Sequence, residues 1–178
     1  MREIEIKAKV KNHDAIEAAL KSAGIVLGPA LKQHDVVYNE PGKTTPGNGH
    51  NFLRIRTEND TISTFTLKQT VKGLDKIEHE TDVSDPVELE RMIELMHFEQ
   101  FSDPTKPRRK AKFADYEICL DEIDGLGTYI EIEKLCPDDA DGEAVHEELW
   151  SVLESFGVNR DDEVTSGYDI LMREKLGL

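Results

Sequence analysis

Glu3-Ile4-Glu5-Ile6-Lys7, near the start of the chain, is the stretch whose reading decides the fold. Side chains alternate across a β-strand, so Glu3, Glu5 and Lys7 share one face while Ile4 and Ile6 share the other. Taken alone, this reads first as a half-exposed edge strand with its charges in water. Four further segments repeat the alternation with charges of chosen sign, and they change the reading.

Thr128–Leu135 places Glu131 and Glu133 on one face, opposite Ile130 and Ile132. Asn51–Thr57 and Ile62–Thr70 flank the turn-like Glu58-Asn59-Asp60 and read as a hairpin. Its polar face is cationic: Arg54 and Arg56 oppose Leu53 and Ile55, and Lys68 follows Thr64 and Thr66 opposite Phe65 and Leu67. Leu74–Val83 sets Lys76, Glu78 and Glu80 on one face. A basic run then spans 106–112, with five positive charges in seven residues. Pro107 makes that segment an edge or bulged one, so the sequence leaves open which of Arg108 and Arg109 points inward.

Strands over 2–10, 31–39 and Tyr116–Asp121 bring the tally to about eight, mostly joined by short connections. A helix starting at Asn12 or Asp14 carries Ile16, Ala19, Leu20 and Ala23 and stops at Gly24. Ser84-Asp85-Pro86 with Glu88 starts another, whose Leu89, Met92, Ile93 and Met96 read as a core stripe. A third holds Val145, Leu149, Val152, Leu153 and Phe156, with Trp150 as a packing residue, and a last one covers Ser166–Leu176. The expectation is a single α+β domain over residues 1–178: a closed eight-stranded antiparallel β-barrel with helices packed outside.

Composition excludes several classes. With 38% hydrophobic and 33% charged residues the chain reads as soluble and globular. A net charge of −15 argues against long nucleic acid, which demands a basic face. No stretch is apolar enough to span a membrane, and the N-terminus lacks an apolar signal-peptide core, so a cytoplasmic location is expected. Cys119 and Cys136 show no metal-ligand spacing and read as packing residues. Gly42-Lys43-Thr44 suggests a phosphate loop, but the motif needs glycine where Val37 stands, so residues 40–50 read as a surface loop.

If all the charged faces point into one barrel, its lumen holds acids (Glu3, Glu5, Glu78, Glu80, Asp121, Glu131, Glu133) beside bases (Lys7, Arg54, Arg56, Lys68, Lys76, Lys106, Arg108, Arg109). Burying so many charges is unfavourable without partners. Divalent metal and a polyphosphate would satisfy both signs, since carboxylates suit Mg²⁺ or Mn²⁺ and guanidinium forks suit phosphate.

The ordered segments EIEIK, FLRIR, TLKQT, KIEHET, KPRR and LDEIDGLGTYIEIE resemble the CYTH superfamily of triphosphate tunnel metalloenzymes, and most of all its class IV adenylyl cyclase branch. The resemblance runs from the N-terminus to about residue 135. It implies Mg²⁺ or Mn²⁺ held by Glu3, Glu5, Glu131 and Glu133, with Asp121 as a further candidate. It implies a triphosphate gripped by Lys7, Arg54, Arg56, Lys68 and Arg108, with Lys76, Lys106 and Arg109 as further candidates. Glu5, Lys68 and Asp121 are the catalytic candidates. Lys76 departs from the pattern, standing where an arginine is expected before the acidic pair. The implied activity is conversion of ATP to 3′,5′-cyclic AMP. Hydrolysis of tripolyphosphate, thiamine triphosphate or a nucleotide is the alternative, and a non-catalytic binding module the third. The expected partner is a small triphosphate, and a homodimer is compatible with the outer faces.

Overall fold

The described residues of the protein include nine strands, all paired antiparallel, four α-helices and a short 3₁₀ helix, Arg160–Asp162. They are seen in a computed structural model that describes residues 1–11, 13–43 and 47–177. Asn12, one of the two expected helix starts, and Thr44, of the Gly-Lys-Thr triplet, lie outside the described residues.

The strands are β1 (Arg2–Val10), β2 (Leu31–Asn39), β3 (Asn51–Glu58), β4 (Ile62–Lys72), β5 (Asp75–Val83), β6 (Glu99–Ser102), β7 (Thr105–Phe113), β8 (Tyr116–Ile123) and β9 (Gly127–Cys136). The helices are α1 (His13–Ser22), α2 (Pro86–Leu95), α3 (Gly142–Ser155) and α4 (Tyr168–Leu176). Strand order is β3-β4-β5-β1-β9-β8-β7-β2, and β2 returns to β3, so eight strands close a ring around a tunnel. The ninth, β6, is the short segment after α2. It takes the half of the β2 edge that β7 leaves free, pairing with Val37–Asn39.

Closure removes exposed sheet edges, yet the ring has a narrow seam. β1 pairs with β5 only through Arg2 and Glu3. Beyond them the chain leading to α4 takes over: Val164 donates its N–H to the Lys7 carbonyl at 2.8 Å, and Glu163 bridges Ala8. α4 is thereby held at the tunnel wall.

Period-2 alternation fixes the layers. Ile4, Ile6, Ile118, Leu120, Ile130 and Ile132 face outward and are buried against Ile16 and Leu20 of α1 and Leu149, Trp150 and Leu153 of α3. At about 25 cal/mol per Å² of buried apolar surface, this outer layer is the main source of stability, and it leaves the inner face free to be polar. α2 covers β2 and β3 through Ile93, with Leu89 beside it. Its N-terminus is as expected, with the Asp85 side chain accepting from the Glu88 N–H. The expected core role of Met92 and Met96 is corrected: they are 51% and 57% exposed. A ten-residue helix on a convex sheet touches it along one line, here Leu89 and Ile93 four residues apart, and the neighbouring row stays in water. Cys136 packs in the outer core, whereas Cys119 is buried on the tunnel face.

Candidate active site

Strand register sets the inner surface in rows. Glu5 on β1 stands opposite Glu133 on β9, and Glu133 stands opposite Glu117 on β8. Three carboxylates therefore lie side by side across three neighbouring strands, an arrangement in which like charges repel. The next row holds Lys7, Glu131 and Cys119, and Arg108 sits opposite Asp121 one row on.

The rows differ in how their charges are met. Lys7 Nζ lies 3.1 Å from Glu131 and 3.3 Å from Glu5. Arg108 binds Asp121 through both arms of its fork and also reaches Glu131, while Lys106 Nζ is 2.7 Å from Asp121. Burial pushes the Glu131 carboxyl up, but Arg108 and Lys7 more than offset it and hold the group well below the usual range. The acid row is met only in part: Lys7 lies 3.3 Å from Glu5 and Lys110 3.1 Å from Glu117, while Glu133 between them has no ion-pair partner among the described residues. Burial, then Glu5 and Glu117, push Glu133 up to about 7. Burial also raises Glu3 and Glu5, with Lys68 and Lys7 opposing in part. Lys106 goes the other way, lowered to about 8 by burial and the Arg108 charge.

The opposite wall is mostly cationic. Arg56 makes two 2.6 Å bonds to the Asp35 carboxylate, and Arg54 reaches Thr66 at 3.3 Å. Lys68 pairs with Glu78, whose acidity rises despite burial because Lys68 and Arg54 stabilise its anion, giving a value of about 2. Both walls line one cavity of about 590 Å³, within the range of small-molecule sites. Tyr168, the first residue of α4, reaches into it. The Lys7 and Lys106 ammonium groups lie 4.2 and 4.4 Å from its ring centroid, which disperses two neighbouring positive charges over one π-face system.

Of the residues singled out from sequence, Glu3, Glu5, Lys7, Arg54, Arg56, Lys68, Glu78, Glu80, Lys106, Arg108, Glu131 and Glu133 line this cavity together. Three do not. Asp121 is 0% exposed, with both oxygens taken by Lys106 and Arg108, so it orients those cations instead of presenting a free ligand. Lys76 donates to the Gly73 carbonyl at 2.6 Å and lines a second, smaller cavity. Arg109 is the clear correction. It lies on the outer face, 2.7 Å from Glu17 of α1 and bonded to the Gly28 carbonyl. The β7–β8 register runs from Arg108 to Phe113 without a bulge, so alternation carries past Pro107 and sends Arg108 inward and Arg109 out. Arg109→Ala is accordingly expected to leave turnover unchanged and to cost roughly 1 kcal/mol of stability, the scale of a partly exposed ion pair. Parallel kinetics and urea titration check this.

Sequence reading missed Glu117, Asp35 and Tyr168. Glu117 was accessible, being four residues before Asp121 on the same strand face. Asp35 likewise shares its face with Gln33 and Val37. Tyr168 carried no signal, because a helix brings it in from outside the sheet.

The fit to a divalent cation can be tested on the carboxylates themselves. Among the described residues no three acidic, His or Cys side chains are already drawn together around a point. Yet Glu5, Glu133 and Glu117 are hard-oxygen donors on three neighbouring strands, and Glu133, between the other two, has no ion-pair partner among the described residues. The donor chemistry fits.

Comparison with known proteins agrees in fold. Residues 1–168 match the family model described as the CYTH domain. A Methanocaldococcus jannaschii protein named "Putative adenylate cyclase" is 26% identical over 173 residues, covering 94% of this chain and 97% of its own. The structure of a Vibrio parahaemolyticus protein, also named "putative adenylate cyclase", superposes with a TM-score of 0.82 at 24% identity, covering 96% of this chain and 97% of that one. A Hippeastrum protein, described as a "putative adenylyl cyclase" with a dominant triphosphatase activity, superposes with a TM-score of 0.63 at 18% identity, covering 99% and 96%.

Proposed function

The chain belongs to the CYTH family, and from that premise we propose that it is a Mg²⁺- or Mn²⁺-dependent enzyme that converts ATP to 3′,5′-cyclic AMP and pyrophosphate. The observation that carries the reading is the placement of charge inside one cavity: a carboxylate row on β1, β9 and β8, with Glu133 unpaired at its centre among the described residues, faces a cationic wall on β3 and β4. A bare polyanion-binding module would gain nothing from the carboxylates.

Glu3, Glu5 and Glu133, with Glu117 beside them, would hold the metal. When bound it would neutralise phosphate charge and acidify the attacking hydroxyl. The protein's own groups supply the rest. Arg54, Arg56 and Lys68 hold the terminal phosphates, and their donors stabilise the charge that grows on departing pyrophosphate. Lys106, at about 8, remains mostly protonated at neutral pH and serves as a cation on the other wall with Lys7 and Arg108. Asp121 fixes the direction of Lys106 and Arg108. In the reaction the ribose 3′-oxygen bonds to the α-phosphorus and its proton passes to solvent. The bond from the α-phosphorus to the bridging oxygen breaks, and pyrophosphate leaves with the electron pair.

A second reading is favoured by the activity attributed to the Hippeastrum protein: water bonds to the terminal phosphorus, its bond to the bridging oxygen breaks, the remaining diphosphate leaves with the electron pair, and the attacked group becomes orthophosphate. One incubation separates the two. With ATP and Mn²⁺ or Mg²⁺, cyclic AMP with pyrophosphate is the expected product, and a chelator is expected to abolish it. Orthophosphate without cyclic AMP would move the assignment to hydrolysis, and turnover that survives chelation would remove the metal from both.

A further inference from the structure

A second cavity, of about 250 Å³, adjoins the tunnel, and Phe52 and Asp169 line both. Its walls contain polar groups that the fold leaves unmet. Thr70 on β4 is 3% exposed, and its hydroxyl has no hydrogen-bond partner among the described residues. His50, just before β3, has its buried Nε2 in the same condition. A buried hydroxyl and ring nitrogen without partners are costly, and such groups call for an explanation.

The charge balance here differs from the tunnel. Lys76 is the ammonium of this cavity, already donating to the Gly73 carbonyl, and the carboxylates of Asp169 and Glu174 outnumber it. A further phosphate would be repelled. Phe52 and Phe101 add apolar faces. What remains open is a slot with aromatic sides, carboxylate acceptors, a hydroxyl that can give or take a proton, and an imidazole nitrogen. At ~30 Å³ per water it has room for a planar heterocycle and no room for a polypeptide.

We propose that this cavity is the subsite for the nucleobase of a nucleoside triphosphate whose phosphates lie in the tunnel. The inference rests on the triphosphate reading above and adds to it the part of the substrate that a cyclase needs and tripolyphosphate lacks. Phe52, shared by both cavities, marks the passage where the sugar lies. The Thr70 hydroxyl and His50 Nε2 bond the edge of the base, and Asp169 or Glu174 accepts from its amino group.

Thr70→Val removes the hydroxyl at nearly constant volume, and Thr70→Ser restores it. Calorimetric titration of each protein with α,β-methylene-ATP and with inorganic tripolyphosphate, both with Mg²⁺, reads the two subsites separately. The expected result is about tenfold weaker nucleotide binding by the valine variant, recovery by the serine variant, and tripolyphosphate binding unchanged in both. Equal loss for both ligands, or no loss for either, overturns the base subsite while the triphosphate reading stands. A wild-type protein that binds neither ligand overturns both. Far-ultraviolet dichroism of the variants establishes that they are folded before the titrations are compared.

Discussion

Glu133→Gln is expected to lower metal-dependent turnover at least about a hundredfold, while the metal-free protein becomes more stable at alkaline pH. The two effects share one cause. Glu133 stands between Glu5 and Glu117 on neighbouring strands, so its anion serves a bound cation and is unfavourable without one. Its folded value of about 7 lies above its ordinary value of 4.5. For an acid raised in this direction, stability is complete below the unfolded value and is lost as pH rises from about 4.5 through about 7. The loss above that window is at most about 3 kcal/mol, from the size of the shift. Glutamine cannot ionise and is spared it. Urea titrations in chelator at pH 5 and pH 8 should show a gain for the variant that is larger at pH 8. Near-normal turnover, or a gain that is the same at both pH values, would contradict the assignment of Glu133 to a metal-binding row.

The second large effect is expected on folding. Arg108→Met should destabilise the protein by about 3–5 kcal/mol, because it strands two buried carboxylates. Asp121 is 0% exposed and Glu131 4%, and Arg108 bonds to both. Lys106 and Lys7 remain as partial counterions, which points to the lower end of that range. For a domain of this size the melting temperature should fall by roughly 10 °C. Arg108→Lys should recover part of the loss, since an ammonium keeps the charge but cannot reproduce the guanidinium fork. A methionine variant within 1 kcal/mol of wild type would mean that water, not Arg108, satisfies these carboxylates. The contrast with Arg109, one residue away and on the outer surface, is the sharpest available test of the β7 register.

Much of this was present in the local pattern. Alternation in Glu3–Lys7, Leu53–Arg56 and Ile130–Glu133 assigned each side chain to one face or the other, and eight strands with short connections implied a ring. Those faces are where the pattern put them. The misses have a common origin. Met92 and Met96 obey helical spacing, but the area of α2 that meets the sheet is set by sheet curvature. Glu117 and Asp35 obey strand alternation too, but what marks them is the cross-strand neighbour that register brings beside each, Glu133 and Arg56.

The sequence by itself determined the alternation of most strands and the sign of their polar faces, β7 excepted, where Pro107 left the inward arginine open. That follows because alternation is a property of the backbone and needs no partner. Only the tertiary structure decided which charges neutralise one another and which are left for a ligand. Glu131 and Glu133 occupy equivalent positions in one strand, yet Arg108 and Lys7 hold the first as an anion while Glu5 and Glu117 push the second toward its neutral form. The difference is made by β1, β7 and β8, strands brought to the same wall by ring closure, and Coulomb interactions at a few ångströms depend on that proximity and not on distance along the chain.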